Sequence, residues 1–480
     1  MSRSFVFLFL LLGGTLSAQE TYDLKRCVQH AQQNNLTVKL AQNNLALARL
    51  DVEQAERAWY PSVDGRIGGG VQFGRTIDPT TNDFDNQTIG FNNFGINAGS
   101  TVYAGGRIRN NQLRASTIVD ATEADLQAQE NTIALNIAQA YLQVVLNEEQ
   151  LLNAENRLRL SRDQLSQTEK LIRAGALPAN DSLEILSQIA LDEQSIVTAQ
   201  NNIEIALLNL KTLMNLDAST EIRLVRVDID DEIDLADATL RSAEQVYTTA
   251  MSTQPQVRAG ELQVKAAEIG VDLARADYYP TVSLFGGLST NWSSGFRDFS
   301  NPDLSNLEVI LNDPIPVVIN GETATFQDFS TRGVVFPNLS YVDQLNQNFG
   351  QNLGVSVNVP IYSQGNTRLN VERAELNVLA QRIRNEQTLQ FLKTDVQRAL
   401  ADVRAARRSL IASRKAVEAA EAAFANAQRR YDLGSINTFV FAQARNLLDQ
   451  SEVNLTTARY QYVFAQKVLD FYMGQPIRLE

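Results

Sequence analysis

Few residues of this sequence are suited to chemistry, because its 480 residues include one histidine and one cysteine. A single cysteine excludes an intramolecular disulfide. The sequence has neither a Cys/His cluster with metal-ligand spacing nor a glycine-rich phosphate loop after a strand. We therefore predict no catalytic residue, no metal site and no cofactor. His30, in an amphipathic run, is interpreted as structural, and Cys27 as a buried or idle thiol, with a lipid-anchor cysteine as the alternative.

The charge balance is acidic, with 42 basic and 55 acidic residues and a formal net charge of −13. This balance argues against nucleic acid as a partner, because the phosphate backbone binds basic surfaces. Eight of the acids fall in the segment 217–239. Their spacing matches no calcium-loop pattern, so we interpret the segment as a solvated, equatorial acidic connector, with a calcium site as the less favoured alternative.

Residues 1–18 have the pattern of a secretory signal peptide. Arg3 supplies the basic start, an apolar core runs from residue 5 to residue 12, and small residues lead to Ala18. We expect cleavage before Gln19. No other run reaches the ~20 apolar residues that a membrane-spanning helix requires, so any membrane insertion is expected to use strands.

Glycine and proline divide the rest of the chain into long and short segments. Two segments, 61–106 and 280–365, hold 18 of the 25 glycines and 8 of the 11 prolines. The 68-residue runs 107–174 and 366–433 contain neither, and they are rich in good helix formers. At 1.5 Å per residue, each run predicts a helix roughly 100 Å long.

The two halves of the chain are an internal repeat. "AWYPSV" at 58–63 matches "DYYPTV" at 277–282, and Gly175 matches Gly434 at an offset of 259 residues. We predict a first repeat at 19–216, the acidic connector at 217–239, a second repeat at 240–474 and a short tail at 475–480. The second Gly/Pro-rich segment is longer than the first by 40 residues.

Large apolar residues recur every seven positions in both long helices, and alanines often follow three positions later, a pattern that suits closely packed, nearly parallel helices. Shorter helical runs at 22–58 and 176–214 are expected to stack end to end beside one long helix, and those at 240–277 and 435–473 beside the other. The seven-residue series are Ile137, Val144, Leu151, Leu158, Leu165 and Ile172, and Val396, Val403, Leu410, Val417, Phe424 and Tyr431.

Apolar and polar residues alternate near both ends of each Gly/Pro-rich segment. The alternation predicts four strands, near 62–74, 93–104, 281–292 and 350–362, with outer loops at 75–92 and 293–349. Each strand is about ten residues long with aromatic residues near its ends, as in outer-membrane strands. Four strands cannot close a sheet, and open edges are not tolerated in lipid, so several copies of the chain are expected to share one barrel.

With these features the chain resembles the TolC family of outer-membrane efflux channels over essentially all of its mature length. The resemblance rests on the duplicated helix–strand–strand–helix unit, on the two junction motifs, on "LFGGLS" and "VPIYSQG", and on the tip glycines. It implies an α+β, mainly α fold with four long antiparallel helical stacks and four transmembrane strands per chain. A homotrimer would form a 12-stranded β-barrel on a 12-stack α-helical barrel. It also implies an outer-membrane location in a Gram-negative-type envelope, extending into the periplasm, and a periplasmic adaptor that links the channel to an inner-membrane transporter.

The resemblance also implies roles for particular residues. In relatives, the acid at the position of Asp181 bonds to the tyrosine at the position of Tyr431, and an arginine that often joins them is Ile436 here. The glycine of each tip is interpreted as a helix C-cap. The adaptor-contacting tips are Gly175, Ala176 and Leu177, with Gly434, Ser435 and Ile436; the entrance gate is Asp181, Glu184, Tyr431, Phe439, Val440 and Gln443; the helix–strand junctions are Tyr60, Pro61, Tyr279 and Pro280.

The functional hypothesis is a passive outer-membrane duct of a tripartite efflux or type I secretion system, in contact with outer-membrane lipid. The alternative is a periplasmic coiled-coil scaffold without a channel. Alternating strands with aromatic ends favour the duct, since a scaffold has no use for them. An enzyme is disfavoured, because the sequence offers no convergent polar site.

Overall fold

The computed structural model describes residues 20–77, 84–85, 88–175, 178–225, 242–298, 300–320, 322–332 and 336–475. These residues are mainly helical, which confirms the predicted fold class at that level. The helices are α1 (Leu24–Asn34), α2 (Leu36–Arg57), α3 (Arg107–Arg173), α4 (Asp181–Met214), α5 (Ala243–Thr253), α6 (Pro255–Arg275), α7 (Tyr341–Gln347), α8 (Asn366–Asp432) and α9 (Thr438–Tyr472). The strands are β1 (Glu20–Tyr22), β2 (Ser62–Gln72), β3 (Thr76–Ile77), β4 (Phe84–Asp85), β5 (Ile89–Ala104), β6 (Ile222–Leu224), β7 (Thr281–Ser293), β8 (Glu308–Leu311), β9 (Ile315–Ile319), β10 (Glu322–Phe326), β11 (Phe329–Arg332) and β12 (Gly350–Asn358).

The chain divides into two compact units, and each takes residues from both sequence repeats. The helical unit contains Met1–Val52, Arg114–Glu268 and Glu375–Glu480, and the sheet unit contains Glu53–Leu113 and Ile269–Ala374. Of the helices that the structure describes, none is both long enough and apolar enough to cross a membrane.

The sheet unit is built on a four-stranded antiparallel sheet with the order β12–β7–β5–β2. Residues opposite each other in an antiparallel ladder point to the same side, so the register decides which side chains share a face. It gathers apolar residues from all four strands on one side, which we call the apolar face. Its members are Val63, Ile67, Val71, Phe94, Ile96, Ala98, Val282, Leu284, Leu288, Leu353, Val355 and Val357.

Two segments of the sheet unit differ from the sequence prediction. The strand predicted near 350–362 ends at Asn358, because Pro360 has no N–H to continue a ladder. The predicted outer loop 293–349 is largely ordered, and it contains four short strands and α7. β8 pairs with β11 and β9 with β10, and the amide of Asn312 donates to the carbonyl of Asp328 (3.0 Å) where the two pairs meet.

The helical unit buries several of the same positions in both repeats. Its two apolar clusters contain residues that the offset of 219 or 259 residues superposes, on α1 or α5, α2 or α6, α3 or α8, and α4 or α9. The buried pairs are Ala31/Ala250, Val38/Val257, Ile137/Val396, Val144/Val403, Ala206/Ala465 and Leu210/Leu469.

The predicted helical runs 22–58 and 240–277 are each interrupted after about one third of their length, which the sequence prediction missed. The break in the first run lies at Asn35, whose side-chain amide donates to the carbonyl of Leu213 (2.8 Å). In the second run Gln254 donates to the carbonyl of Phe471 (2.9 Å), and Pro255 follows it. Each break therefore ties a short helix to the end of a later helix, α1 to α4 and α5 to α9.

The glycine that ends β5 is predicted to be far less replaceable than the glycine that ends α8. Gly105 has φ +60°, and an added Cβ would lie 2.7 Å from the carbonyl oxygen of Ala276 and from the Cβ of Tyr279. Gly434 has φ +67° and open space around it. Gly434→Ala should cost about 1–2 kcal/mol of backbone strain, and Gly105→Ala clearly more. Thermal unfolding in detergent measures the difference, and equal losses in the two variants would contradict it.

Candidate functional site: the helix-hairpin tips

One chain reversal follows each long helix and leads into a return helix, α4 after α3 and α9 after α8. We call these reversals the first tip, at Gly175, and the second tip, at Gly434. Both glycines have left-handed backbone, with φ of +76° and +67°. At the second tip the amide of Gly434 donates to the carbonyl of Tyr431 and that of Ser435 to the carbonyl of Arg430, both at 2.8 Å. Bonds of this kind satisfy the last carbonyls of a helix. Both glycines therefore have the C-cap conformation that the sequence predicts.

The predicted adaptor-contacting residues are only partly described. Ala176 and Leu177 lie outside the described residues. Ser435 is exposed, and its hydroxyl donates to the carbonyl of Arg430 (2.9 Å), whereas Ile436 is half-buried. Contact of these positions with a partner stays a prediction.

The two return helices begin with different chemistry. Asp181 and Glu184 lie in the first turn of α4, where negative charge is favoured by the helix dipole. The offset of 259 residues places Val440 and Gln443 at the same positions of α9. There the helix is capped by Asn437, whose side-chain oxygen accepts from the amide of Val440 (3.1 Å).

Tyr431 is held by groups other than the predicted acid. Its hydroxyl lies 3.4 Å from that of Thr168 and 3.5 Å from that of Thr438. Its ring stacks on Phe441, with the ring centroids 4.8 Å apart. Among the described contacts, no hydrogen bond joins Tyr431 and Asp181, and the link implied by the family resemblance stays a prediction.

The other predicted gate residues on α9 lie at its surface. Phe439 is 63 % exposed and Val440 is 42 % exposed, and Gln443 is also exposed. Phe441 is 3 % exposed and packs between Tyr431 and Phe424, with its ring centroid 5.5 Å from that of Phe424. Of the two phenylalanines in this turn, Phe439 is therefore exposed, and Phe441 packs the second tip together. A gate role for Phe439 stays a prediction.

A buried polar network that the sequence prediction missed connects α3 to both return helices. Arg445 on α9 is 6 % exposed, donates to the carbonyl of Arg157 on α3 (2.8 Å), and lies 3.8 Å from the carboxylate of Asp449. Ser161 on α3 donates to Asp192 on α4, which is 3 % exposed. A cavity of about 200 Å³ adjoins this network and is lined by Ser161, Gln164, Glu184, Gln188, Thr438 and Arg445.

Charge and burial oppose each other in this network. Burial raises the pKa of the Asp449 carboxyl above its ordinary value, the charges of Arg445 and Arg157 lower it, and Asp192 raises it further. A heptad pattern could have revealed the network, because Asp192 lies seven residues from the buried Ile185 and is thus a charged residue on a buried stripe.

The junction residues surround the start of each strand pair. Tyr60 and Tyr279 are exposed at 73 % and 53 %, and Pro61 and Pro280 each directly precede a strand, where proline is tolerated. The sequence prediction therefore located both helix-to-strand junctions, and their function stays a prediction.

Replacing Asp449 by asparagine should flatten the dependence of stability on pH. With its pKa raised by burial, this carboxyl binds its proton more tightly in the folded than in the unfolded state. Its contribution to the free energy of unfolding is full below the unfolded-state pKa and is lost as pH rises through the folded-state pKa. Lowering the pH from 7 to about 4, the ordinary pKa of an aspartate, should therefore favour the folded state less, as measured by the melting temperature, in Asp449→Asn than in the unsubstituted protein. Asp163→Asn, at an exposed position of α3, is the control, and an equal effect of both variants would refute the assignment.

Comparison with known proteins identifies the family. The sequence model of the outer membrane efflux protein family matches residues 27–216 and 340–475. The outer membrane efflux protein BepC of Brucella suis biovar 1 is 22 % identical over 465 residues, which cover 96 % of this chain and 87 % of BepC. The solved structure of VceC from Vibrio cholerae has a TM-score of 0.72 at 15 % identity and covers 95 % of this chain and 97 % of VceC. That of the open state of MtrE from Neisseria gonorrhoeae has a TM-score of 0.70 at 17 % identity, over 95 % of this chain and 90 % of MtrE.

The family match includes both tips and both long helices, and it spans more than half of the chain. The solved structures agree with the fold along nearly its whole length. The chain belongs to the outer membrane efflux protein family.

Proposed function

We propose that this chain forms the outer-membrane duct of a tripartite efflux or type I secretion system, through which substrates pass passively. The observation that carries the proposal is the apolar face, to which all four strands contribute, in a chain that also forms long helical hairpins. A face of this kind suits lipid, and the polar side of the same sheet suits a water-filled interior. The helical unit would extend into the periplasm.

The two edges of the sheet support a shared assembly of three chains. No strand in the described part of the chain pairs with the outer edge of β2 or of β12, and unpaired backbone groups are costly in lipid. Pairing β2 of one copy with β12 of the next would satisfy both. Two copies would give eight strands, and the interior of an eight-stranded barrel is filled by side chains. An open duct therefore needs at least three copies. The trimer of the family resemblance has twelve strands and meets this requirement.

The tips are the part of the helical unit that we assign to an adaptor, and through it to an inner-membrane transporter. Two large apolar side chains of the second tip are exposed, Leu433 at 83 % and Phe439 at 63 %. Exposed apolar residues of this kind are typical of protein interaction sites. The role of the chain in this proposal is conduction. Among the described residues, no three His, Cys, Asp or Glu side chains lie close enough to hold a metal ion.

Reconstitution of the full chain tests the duct. The protein should fractionate with the outer membrane, migrate differently on gels before and after heating, and conduct ions in planar lipid bilayers. A soluble periplasmic product without conductance would contradict the duct and support the scaffold alternative.

The resting conductance of that duct should depend on Phe441 more than on the hydroxyl of Tyr431. Phe441→Ala removes a buried ring from the second tip, a change that typically costs about 3–5 kcal/mol, and should raise the closed-state conductance. Tyr431→Phe keeps the stacked ring and loses only two long hydroxyl contacts, so its effect should be small. Single-channel recording in planar bilayers measures both variants.

Leu447→Ala is the matched control for this experiment, because it truncates an exposed apolar side chain of the same helix and should leave the conductance unchanged. If Tyr431→Phe raises the conductance as much as Phe441→Ala does, aromatic packing is not what holds the second tip closed.

A further inference from the structure

Helix α7 is fastened to the sheet by contacts along its whole length. The hydroxyl of Thr290 donates to the carbonyl of Leu345 (2.6 Å), and the amide of Ser293 donates to the side chain of Gln344 (3.0 Å). Asn348, just after the helix, donates to the carbonyl of Asn291 (2.9 Å). Gln344 is 2 % exposed. The helix is therefore a fixed part of the sheet unit.

The helix lies on the apolar face of the sheet. Thr290 and Trp292 belong to that side, because Thr290 is opposite Phe94 and Trp292 is opposite Asn92 in the ladder. The ring of Trp292 lies 5.5 Å from that of Tyr341, and the side-chain amide of Asn92 lies 3.4 Å from the Tyr341 hydroxyl. Every one of these side-chain contacts is made from the apolar side.

The position of α7 along the strands limits how much of the apolar face is bare. From Val282, near the start of β7, to Thr290, where α7 begins to cover it, the strand advances eight residues, or about 26 Å. At the usual tilt of ~40° this corresponds to roughly 20 Å of height, close to the ~25 Å apolar band of outer-membrane proteins. The helix therefore lies where such a band would end.

Aromatic residues lie at both ends of the part of the apolar face that α7 leaves uncovered. Trp59, Tyr60 and Tyr279 are exposed near the starts of β2 and β7. Trp292 and Tyr341 form the pair at the other end. Aromatic side chains of this kind collect at the two membrane–water interfaces. The exposed residues of α7 include both apolar and polar side chains, as expected for a segment at a membrane interface.

The contacts of α7 are made with the two central strands, β5 and β7, whereas another copy would add at the edges, β2 and β12. Sheet pairing between copies therefore leaves α7 uncovered. The occupant that this position fits is lipid, because the apolar face on which the helix lies continues directly from it.

We propose that α7 together with Trp292, the outer collar, contacts the boundary between headgroups and acyl chains of the outer leaflet and ends the lipid-covered part of the apolar face. Tyr341 and Val342 are 41 % and 63 % exposed and reach the lipid. The polar residues that follow them in α7 lie at headgroup depth. This inference rests on the proposed function, since it requires the apolar face to meet lipid.

Tryptophan fluorescence tests the collar directly, because the chain has two tryptophans, Trp59 and Trp292. The full-length Trp59→Phe variant is reconstituted into phosphatidylcholine vesicles with lipids brominated either near the headgroup or near the chain end. Trp292 should be quenched more strongly by the headgroup-proximal bromines. In a variant that combines Trp59→Phe and Trp292→Phe with Leu288→Trp, the reporter on the bare apolar face should be quenched more strongly by the deeper bromines.

The two reporters separate failure of the collar from failure of the duct. If the Leu288 reporter is quenched by lipid but Trp292 responds only to aqueous acrylamide, the collar lies outside the bilayer and the inference is overturned. Trp292 shielded from both quenchers would mean that protein covers it, which also overturns the inference. If bromolipid quenches neither reporter, the proposed membrane sheet fails as well.

A third variant tests whether α7 ends the lipid-covered region. Thr290→Val with Gln344→Ala, in the Trp59→Phe background, removes two of the three hydrogen bonds that fasten the helix to β7. Quenching of Trp292 by the deeper bromines should then rise relative to the parent variant. An unchanged ratio of shallow to deep quenching, in a protein that still conducts, would contradict the role of the helix.

Discussion

An open sheet edge is the constraint on which the rest of this architecture depends. The four strands form a sheet whose two outer edges pair with no other described strand. The apolar face suits that sheet to lipid, where unpaired backbone groups cannot be hydrated. If the proposed function is right, the edge strands of one chain are paired only in an oligomer. Each copy would also contribute one helical unit with its two long helices to that assembly.

The internal duplication gives both repeats of the helical unit a common framework. Both repeats bury several of the same positions, and both interrupt their first helical run at an amide side chain that reaches a carbonyl of another helix. The tips and the outer segment are among the places where the repeats differ. The polar tie from Arg445 to α3 has no equivalent in the first repeat, because the matching position is the exposed Leu186. The framework is thus common to both halves, and the tips have diverged.

Local sequence patterns were enough to predict the long helices and the shared face of the sheet. The run 107–174 corresponds to α3 within one residue, because glycine-free, alanine-rich sequence and a left-handed glycine determine a helix and its end locally. The break at Asn35 was missed because its partner, the carbonyl of Leu213, is 178 residues away. The two threonines beside the Tyr431 hydroxyl were also missed, because Thr168 lies 263 residues away in the sequence. Burial of Arg445 likewise depends on three helices at once.

The unequal tips have a consequence for symmetry. Three chains with two tips each would present six hairpin ends around one opening, but the ends would alternate between an acidic pair, Asp181 and Glu184, and the neutral Val440 and Gln443. The ring is then threefold in chemistry while it is nearly sixfold in shape. A partner with six equal subunits would meet two kinds of site in alternation, so mutation could adjust one kind of contact without disturbing the other.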